Sequence, residues 1–119
     1  MIQDGKNRIY YWTLAFCIDN DTIWFIYGKQ CILCKYIISK RVSKIIGAIP
    51  VNNPAQENLF QKLILADNKL FMIPCWANEI IVYDLEKEEF KIIKIRPFKG
   101  LKFCGAYVYK NKLICIPAA

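Results

Sequence analysis

The residue pattern closest to a chemical site is the pair Cys31 and Cys34, which has the CxxC spacing. On a loop this spacing supplies half of a zinc site or a redox pair. Here it lies in an apolar stretch that predicts a β-strand, in which positions i and i+3 point to opposite faces. The sequence has no second CxxC pair and no histidine. We therefore interpret both cysteines as packing residues and predict no metal site and no cofactor.

The absence of histidine also limits the catalytic chemistry. It excludes Ser-His-Asp and Cys-His nucleophilic arrangements and most catalytic zinc sites. Two carboxylates could still act as acid and base, but the acidic residues gather on predicted turns, where solvated carboxylates are common. These residues are Asp84, Glu86, Glu88 and Glu89 on one turn and Asp67 on another. With five glycines and no Gly-rich phosphate loop, the sequence predicts a non-catalytic protein with no catalytic residues.

The basic charge balance suggests a different kind of function. A net charge of +7 and a pI near 9.1 draw a protein towards nucleic acid or an anionic surface. However, the 17 Lys and Arg residues are spread along the chain and form no block of like charge. On the predicted strands they alternate with apolar residues, as solvated positions do. We interpret them as solubilising and edge-protecting groups, and electrostatic binding to nucleic acid or an anionic surface stays a less favoured alternative.

The apolar segments lead to a prediction of location. Runs such as residues 9–18 are interrupted by polar groups and are far shorter than the roughly 20 residues of a helical membrane span. Residues 1–6 lack the apolar segment of a signal peptide. Most of the six cysteines lie in or beside apolar runs, where reduced thiols pack well. We predict free thiols, no membrane association and a cytoplasmic location.

The strongest pattern in the sequence is an internal repeat. Residues 22–50 and 69–97 have the same length and align without a gap at an offset of 47. A third, partial copy follows at an offset of 43, where residues 111–117 (NKLICIP) repeat residues 68–74 (NKLFMIP). Self-similarity at a fixed period indicates a fold that is built from repeated units.

Each full copy carries four strand signals, which are apolar or alternating runs bounded by turn residues. The predicted strands are residues 10–18, 23–27, 31–38 and 42–49 in the first copy, and 60–66, 69–73, 79–85 and 90–95 in the second. Residues 51–58 and 97–102 are predicted connectors. The pair Asp67-Asn68 predicts a tight turn that tolerates positive φ. The nearly continuous apolar run 69–73 is typical of a strand that is covered on both faces.

Four short antiparallel strands per unit match the blade period of β-propellers, which is about 40 to 50 residues. The patterns NKLFMIP, EIIVYDL and FKIIKI in this sequence resemble kelch-like and related bacterial propeller repeats. The double glycine of kelch repeats and the Gly-His and Trp-Asp marks of WD40 repeats are absent. The resemblance covers residues 10–117 and implies a propeller-type shape without a particular family function.

We therefore predict an all-β fold of four-stranded antiparallel propeller-type blades in one repeat-built domain, residues 1–119. Blade 1 covers about residues 9–50, blade 2 about 59–97, and a partial blade 3 about 102–119. The alternative is a single up-and-down β-barrel of eight to ten strands, which explains the hairpins but not the offset of 47 residues.

Two and a half blades fall short of the 4 to 8 blades of a typical propeller ring. The apolar runs 23–26, 70–73 and 113–116 would then leave blade faces in contact with water. Two hypotheses follow: several copies self-associate through exposed blade faces, or the chain is a fragment of a longer propeller protein. The end of the sequence in mid-repeat favours the second hypothesis.

In this fold a ligand would bind where the loops of successive blades converge near the central axis. The candidate binding residues follow the second strand of each copy: Tyr27, Lys29 and Gln30 in the first, and Trp76 and Asn78 in the second. An exposed Trp beside polar groups can anchor a sugar or a peptide, although the simpler interpretation, which we favour for Trp76, is that it packs on the neighbouring blade. The predicted function is a non-catalytic module that binds a protein or a small ligand. The alternative is part of an enzyme whose active site is completed by missing blades.

Overall fold

The computed structural model describes residues 2–3, 8–9, 15–27, 31–51, 59–95 and 103–117. Within these residues the chain forms twelve β-strands and no helix, so no helix there could cross a membrane. The strands are Ile2–Gln3 (β1), Arg8–Ile9 (β2), Phe16–Asp19 (β3), Thr22–Tyr27 (β4), Ile32–Ile37 (β5), Val42–Ala48 (β6), Phe60–Ala66 (β7), Lys69–Pro74 (β8), Glu79–Asp84 (β9), Glu89–Lys94 (β10), Phe103–Tyr109 (β11) and Lys112–Pro117 (β12).

These strands pair into four separate antiparallel sheets. β3 to β6 form the first sheet in sequence order, β7 to β10 form the second sheet, and β11 with β12 forms the third-copy hairpin. β1 and β2 make a further short hairpin that the sequence did not predict. The prediction of four-stranded antiparallel sheets is confirmed. Among the described strands β6 pairs only with β5 and β7 only with β8, so they do not form the continuous sheet that the barrel alternative requires.

The predicted strand bounds agree well with the observed ones, most closely in the second sheet. β7 has the predicted bounds, β8 and β9 differ from the prediction by one residue at one end, and β10 differs by one residue at each end. The first predicted strand, residues 10–18, differs from β3, which begins at Phe16 and ends at Asp19. Ala15 was predicted to be in the strand but lies just before it. Its residues 10–14, like most of both predicted connectors, lie outside the described residues.

Two hairpin turns share a left-handed backbone conformation. Asp67 and Asn68 join β7 to β8 with φ angles of 51° and 58°, and Lys110 and Asn111 join β11 to β12 with φ angles of 47° and 63°. Two consecutive residues with positive φ form the type I′ turn, whose twist matches that of the paired strands, and Asn and Asp tolerate this conformation best. The predicted Asp67-Asn68 turn is confirmed.

The same two hairpins also share a β-bulge. The pairing shifts by one residue between Phe60 and Lys62 in β7, and between Phe103 and Gly105 in β11. These positions correspond at the 43-residue offset found in the sequence. The third copy therefore repeats the second in strand register as well as in residue type.

The main hydrophobic core lies between the first and second sheets. Trp24, Ile26 and Leu33 of the first sheet join one buried cluster with side chains of the second sheet that include Leu63, Leu70, Met72 and Ile81. Burial of an aliphatic side chain of this size stabilises a fold by about 1.5–3 kcal/mol. Of the described strands, β3 and β7, the first strand of each sheet, make the most extensive contact between the two sheets.

The second sheet is also covered on its other face. β11 approaches β7 and β8 there, and Ile73, Ile80 and Val82 of that face are buried. The Lys62 Nζ donates a hydrogen bond to the Ala106 carbonyl oxygen at 3.0 Å, which ties the hairpin to the second sheet. The second sheet is thus packed between two neighbours.

Among the described residues, the first sheet is covered on one face only. On the side that faces away from the second sheet, Phe16, Ile18 and Ile45 are all exposed, and Phe16 has 53% of its surface accessible. The strand register places a whole set of side chains on this side, which we call the outer face of the first sheet. Its members are Phe16, Ile18, Ile23, Phe25, Cys34, Tyr36 and Ile45.

Candidate functional site

The predicted binding residues lie in and beside the loops that follow the second strand of each sheet. Tyr27 is the last residue of β4 and is partly buried, whereas Trp76 and Asn78 lie in the loop between β8 and β9 and are exposed. Lys29 and Gln30 lie outside the described residues. The structure therefore describes three of the five candidates.

The loop that carries Trp76 is anchored by an unusual concentration of backbone hydrogen bonds. The N–H groups of Cys75, Trp76 and Ala77 donate to the carbonyl oxygen of Leu59 at 2.7, 3.1 and 2.9 Å. Ala77 and Leu59 are both buried in the core cluster. Because the backbone is tied down at Ala77, the exposed side chains on either side of it are presented from a fixed support.

Trp76 keeps 37% of its surface accessible in this position. An indole whose ring is partly accessible can stack on a sugar or on a peptide. Asn78, two residues along the chain, supplies an amide that both donates and accepts. This combination is suited to binding and offers no acid–base or nucleophilic group.

The corresponding loop of the first sheet is also fixed at a buried residue. The Cys31 N–H donates to the Tyr27 carbonyl oxygen at 3.0 Å, and the Ile49 N–H donates to the Cys31 carbonyl oxygen at 2.9 Å. Cys31 and Ile49 belong to the same core cluster as Leu59 and Ala77. Both loops are therefore anchored in the core between the two sheets.

The two cysteines of the CxxC pair are buried packing residues. Cys31 precedes β5, with a φ of 51°, and lies in the core between the sheets, whereas Cys34 lies within β5 on the outer face of the first sheet. Burial raises the pKa of Cys31 to about 11 and also raises the pKa of Cys34, so both remain thiols at neutral pH. Because the thiolate is the form that acts as nucleophile and metal ligand, these two thiols have low reactivity.

The other described cysteines behave in the same way. All five cysteines whose side chains are described are free, namely Cys17, Cys31, Cys34, Cys75 and Cys115. Burial and the nearby charge of Asp19 raise the pKa of Cys17 to about 11, and burial raises the pKa of Cys75 and of Cys115. In the part of the chain that the structure describes, no group of three Cys, Asp or Glu residues could hold a metal ion.

The acidic cluster around Asp84 has a structural explanation. Asp84 accepts hydrogen bonds through its Oδ1 from the N–H groups of Glu86 at 2.9 Å and Lys87 at 3.0 Å. The Lys87 N–H above all holds the pKa of the Asp84 carboxyl below its ordinary value. A carboxylate that is fixed as an acceptor inside a turn stabilises that turn and is not placed to act as a general acid.

The described lysines make scattered, individual contacts. The Lys35 Nζ lies 5.4 Å from the centre of the Trp24 ring, and the Lys69 Nζ lies 3.8 Å from a carboxylate oxygen of Asp67. The first is a cation–π contact and the second a surface ion pair, and each is a weak local contact. Contacts of this kind account for lysines one at a time and do not define a continuous basic surface.

Part of the exposed apolar surface lies elsewhere than predicted. The runs 23–26, 70–73 and 113–116 were expected to leave blade faces in contact with water, but Leu70, Met72 and Ile73 are fully buried. The exposed apolar residues of the first sheet lie on its first and last strands instead, at Phe16, Ile18, Val42 and Ile45. The alternation of Phe16 and Ile18, which places both on one face of β3, was the available signal.

Comparison with known proteins gives no family for this chain. No protein-family model matches it, and no curated protein sequence matches it either.

Proposed function

We propose that the chain is a non-catalytic binding module with a propeller-type arrangement of blades. The arrangement is supported by the way the sheets meet. The first strands approach each other in succession, β3 with β7 and β7 with β11. Convergence of first strands is expected of blades around a common axis. Because each blade contributes the same loop after its second strand, such an arrangement gathers those loops on one side.

The observation that carries the binding proposal is the anchored loop at Trp76. Three backbone N–H groups fix this loop to Leu59, and the indole remains partly accessible beside the exposed Asn78. A rigid aromatic side chain loses little conformational freedom when it binds, and Trp is among the residues that dominate binding energy in known interfaces. The ligand class that this chemistry fits is a sugar or an extended peptide segment with a flat face for stacking.

The test follows the indole N–H signals of the isotopically labelled chain by nuclear magnetic resonance. Maltotriose and chitotriose serve as sugar probes, and a pool of unstructured dodecapeptides serves as the peptide probe. The Trp76 signal is assigned with Trp76→Phe. We expect a saturable shift of the Trp76 signal with one probe class and little change at Trp24, which is buried.

Two variants separate binding by Trp76 from non-specific adhesion. Trp76→Ala is expected to weaken binding at least about tenfold, as is usual for an aromatic residue at the centre of an interface. Tyr109→Ala removes another exposed aromatic residue, at the turn between β11 and β12, and is expected to bind as the wild type does. The proposed site is overturned when no probe moves the Trp76 signal, or when Trp76→Ala binds with unchanged affinity.

A further inference from the structure

The repeat allows equivalent faces of the sheets to be compared residue by residue. Leu63, Leu70 and Met72 pack on the first sheet and are buried in the core. At the 47-residue offset their equivalents are Phe16, Ile23 and Phe25, which lie on the outer face of the first sheet. Leu63 is 2% exposed, whereas Phe16 is 53% exposed. The outer face of the first sheet is therefore the same side that the second sheet buries.

In the hairpin of β11 and β12 it is the other side, the one that faces the next unit in the two sheets, that is exposed. Ile26, Ile73 and Ile116 are equivalent at the repeat offsets, and each lies on the side that faces the next unit. Ile26 and Ile73 are buried, whereas Ile116 is 40% exposed. The strand register places Tyr107, Tyr109 and Ile114 on the same side as Ile116. We call this side the far face of the hairpin.

We propose that the chain self-associates head to tail, with the far face of the hairpin in one copy packed on the outer face of the first sheet in the next. This contact continues the stacking already present inside the molecule, where the first sheet covers the second and the second covers the hairpin. Both faces consist mainly of aromatic and aliphatic side chains, and exposed apolar patches of this kind mark interaction surfaces.

The charges of the turns favour this pairing over one between two identical faces. Asp19 ends β3 and Asp21 lies in the turn that follows it, whereas Lys110 lies in the turn after β11 and Lys112 begins β12. All four residues are exposed. When the far face of the hairpin in one copy packs on the outer face of the first sheet in the next, the basic turn lies beside the acidic turn. Pairing of two outer faces, or of two far faces, brings like charges together instead. The interface is therefore heterologous, which leads to a closed ring or an open chain of copies.

The proposal is tested by sedimentation velocity on the full 119-residue chain and on variants blocked at one face. Ile18→Glu blocks the outer face of the first sheet, and Tyr107→Glu blocks the far face of the hairpin. A charge buried in an apolar contact is expected to weaken self-association by about 100-fold or more. Ile92→Glu is the matched control, because Ile92 on β10 is 46% exposed and Tyr107 is 50% exposed, and Ile92 lies on neither face.

Mixing the two blocked variants distinguishes the geometry. Each variant alone is expected to be monomeric, but an equimolar mixture retains one intact pair of faces and is expected to form a dimer and nothing larger. The wild type and Ile92→Glu are expected to associate further. If Ile18→Glu fails to fold by circular dichroism, Ile45→Lys replaces it, since Ile45 lies on the same face and is exposed.

Three outcomes overturn the proposal: a monomeric wild type at all concentrations, a blocked variant that still associates by itself, or a mixture that stays monomeric. The inference rests on the proposed stack of sheets and not on the ligand site. The two fail separately, because Trp76→Ala is expected to leave association unchanged and Ile18→Glu is expected to leave the response of the Trp76 signal unchanged.

Discussion

The first and second sheets are two copies of one sequence pattern that meet different surroundings. Each is a four-stranded antiparallel meander, and β4 pairs with β5 in the same register as β8 with β9. The second sheet is packed on both faces, whereas the first has an exposed outer face. The comparison shows that local sequence decides strand, turn and register, whereas the burial of a face is decided by the neighbouring unit.

The largest difference in unfolding free energy is expected between the variants Leu63→Ala and Phe16→Ala. Leu63 is fully packed between sheets, so its truncation removes buried surface and leaves a cavity at a cost of about 2–5 kcal/mol. Phe16 occupies the equivalent position with half of its surface accessible, and its truncation is expected to cost about 1 kcal/mol or less. Urea unfolding of both variants at low protein concentration measures the two free energies. Equal costs would contradict the assignment of open and covered faces.

A smaller loss of stability is expected from substitutions at Gly47, where the last strands of the two sheets, β6 and β10, meet. A Cβ atom at Gly47 of β6 would lie 3.6 Å from the Phe90 ring of β10, which is ordinary contact distance. Gly47→Ala is therefore tolerated, but Gly47→Leu overpacks the contact and is expected to cost about 1–3 kcal/mol. Lys94→Leu, at an exposed position on the last strand of the second sheet, is the control and is expected to change the unfolding free energy little. A harmless Gly47→Leu would show that β6 does not face β10.

The smallest effect on stability is expected at the turn that follows the third strand of each sheet, β5 or β9. The two sheets stabilise this turn with different hydrogen bonds. In the first sheet the Ser39 N–H and hydroxyl donate to Asp21, and in the second sheet Asp84 accepts from Glu86 and Lys87. Because the pKa of folded Asp84 is lowered, the unfolded chain binds more protons in the acid range. This contribution to stability is fully present above the unfolded pKa of Asp84, and it is lost as the pH falls through the folded pKa.

Asp84→Asn keeps an oxygen acceptor but does not titrate at this position. It is therefore expected to lose less stability than the wild type between neutral pH and the acid range. Unfolding curves recorded across that range measure the difference, and Asp84→Ala, which removes the acceptor, is expected to be less stable than the wild type at neutral pH. Parallel pH profiles for the wild type and Asp84→Asn would show that the turn does not depend on the carboxylate.

Much of the strand pattern could be predicted because its signals are local. β7 was predicted residue by residue, since an apolar run ends there at the Asp67-Asn68 turn. The hairpin of β1 and β2 was missed because it consists of two-residue strands in a polar segment. The exposed apolar residues were misplaced, since a repeat reveals equivalent positions but not which of them has a neighbour.

The candidate site could be predicted only in part. The position of Trp76 in a loop after an inner strand followed from the repeat, and its accessible indole agrees with the binding hypothesis. The anchor at Leu59 could not be predicted, because three amides that meet one carbonyl oxygen depend on backbone geometry between distant residues. The function itself stays a prediction that the Trp76 experiment decides.

The shared bulge at Phe60 and Phe103 has a consequence for how such a protein can change its length. Together with a two-residue turn, the bulge sets the pairing of each hairpin from within that hairpin. A duplicated or deleted unit would leave the alignment of every other unit intact. The number of units can therefore change during evolution without resetting the strand pairing inside the units that remain.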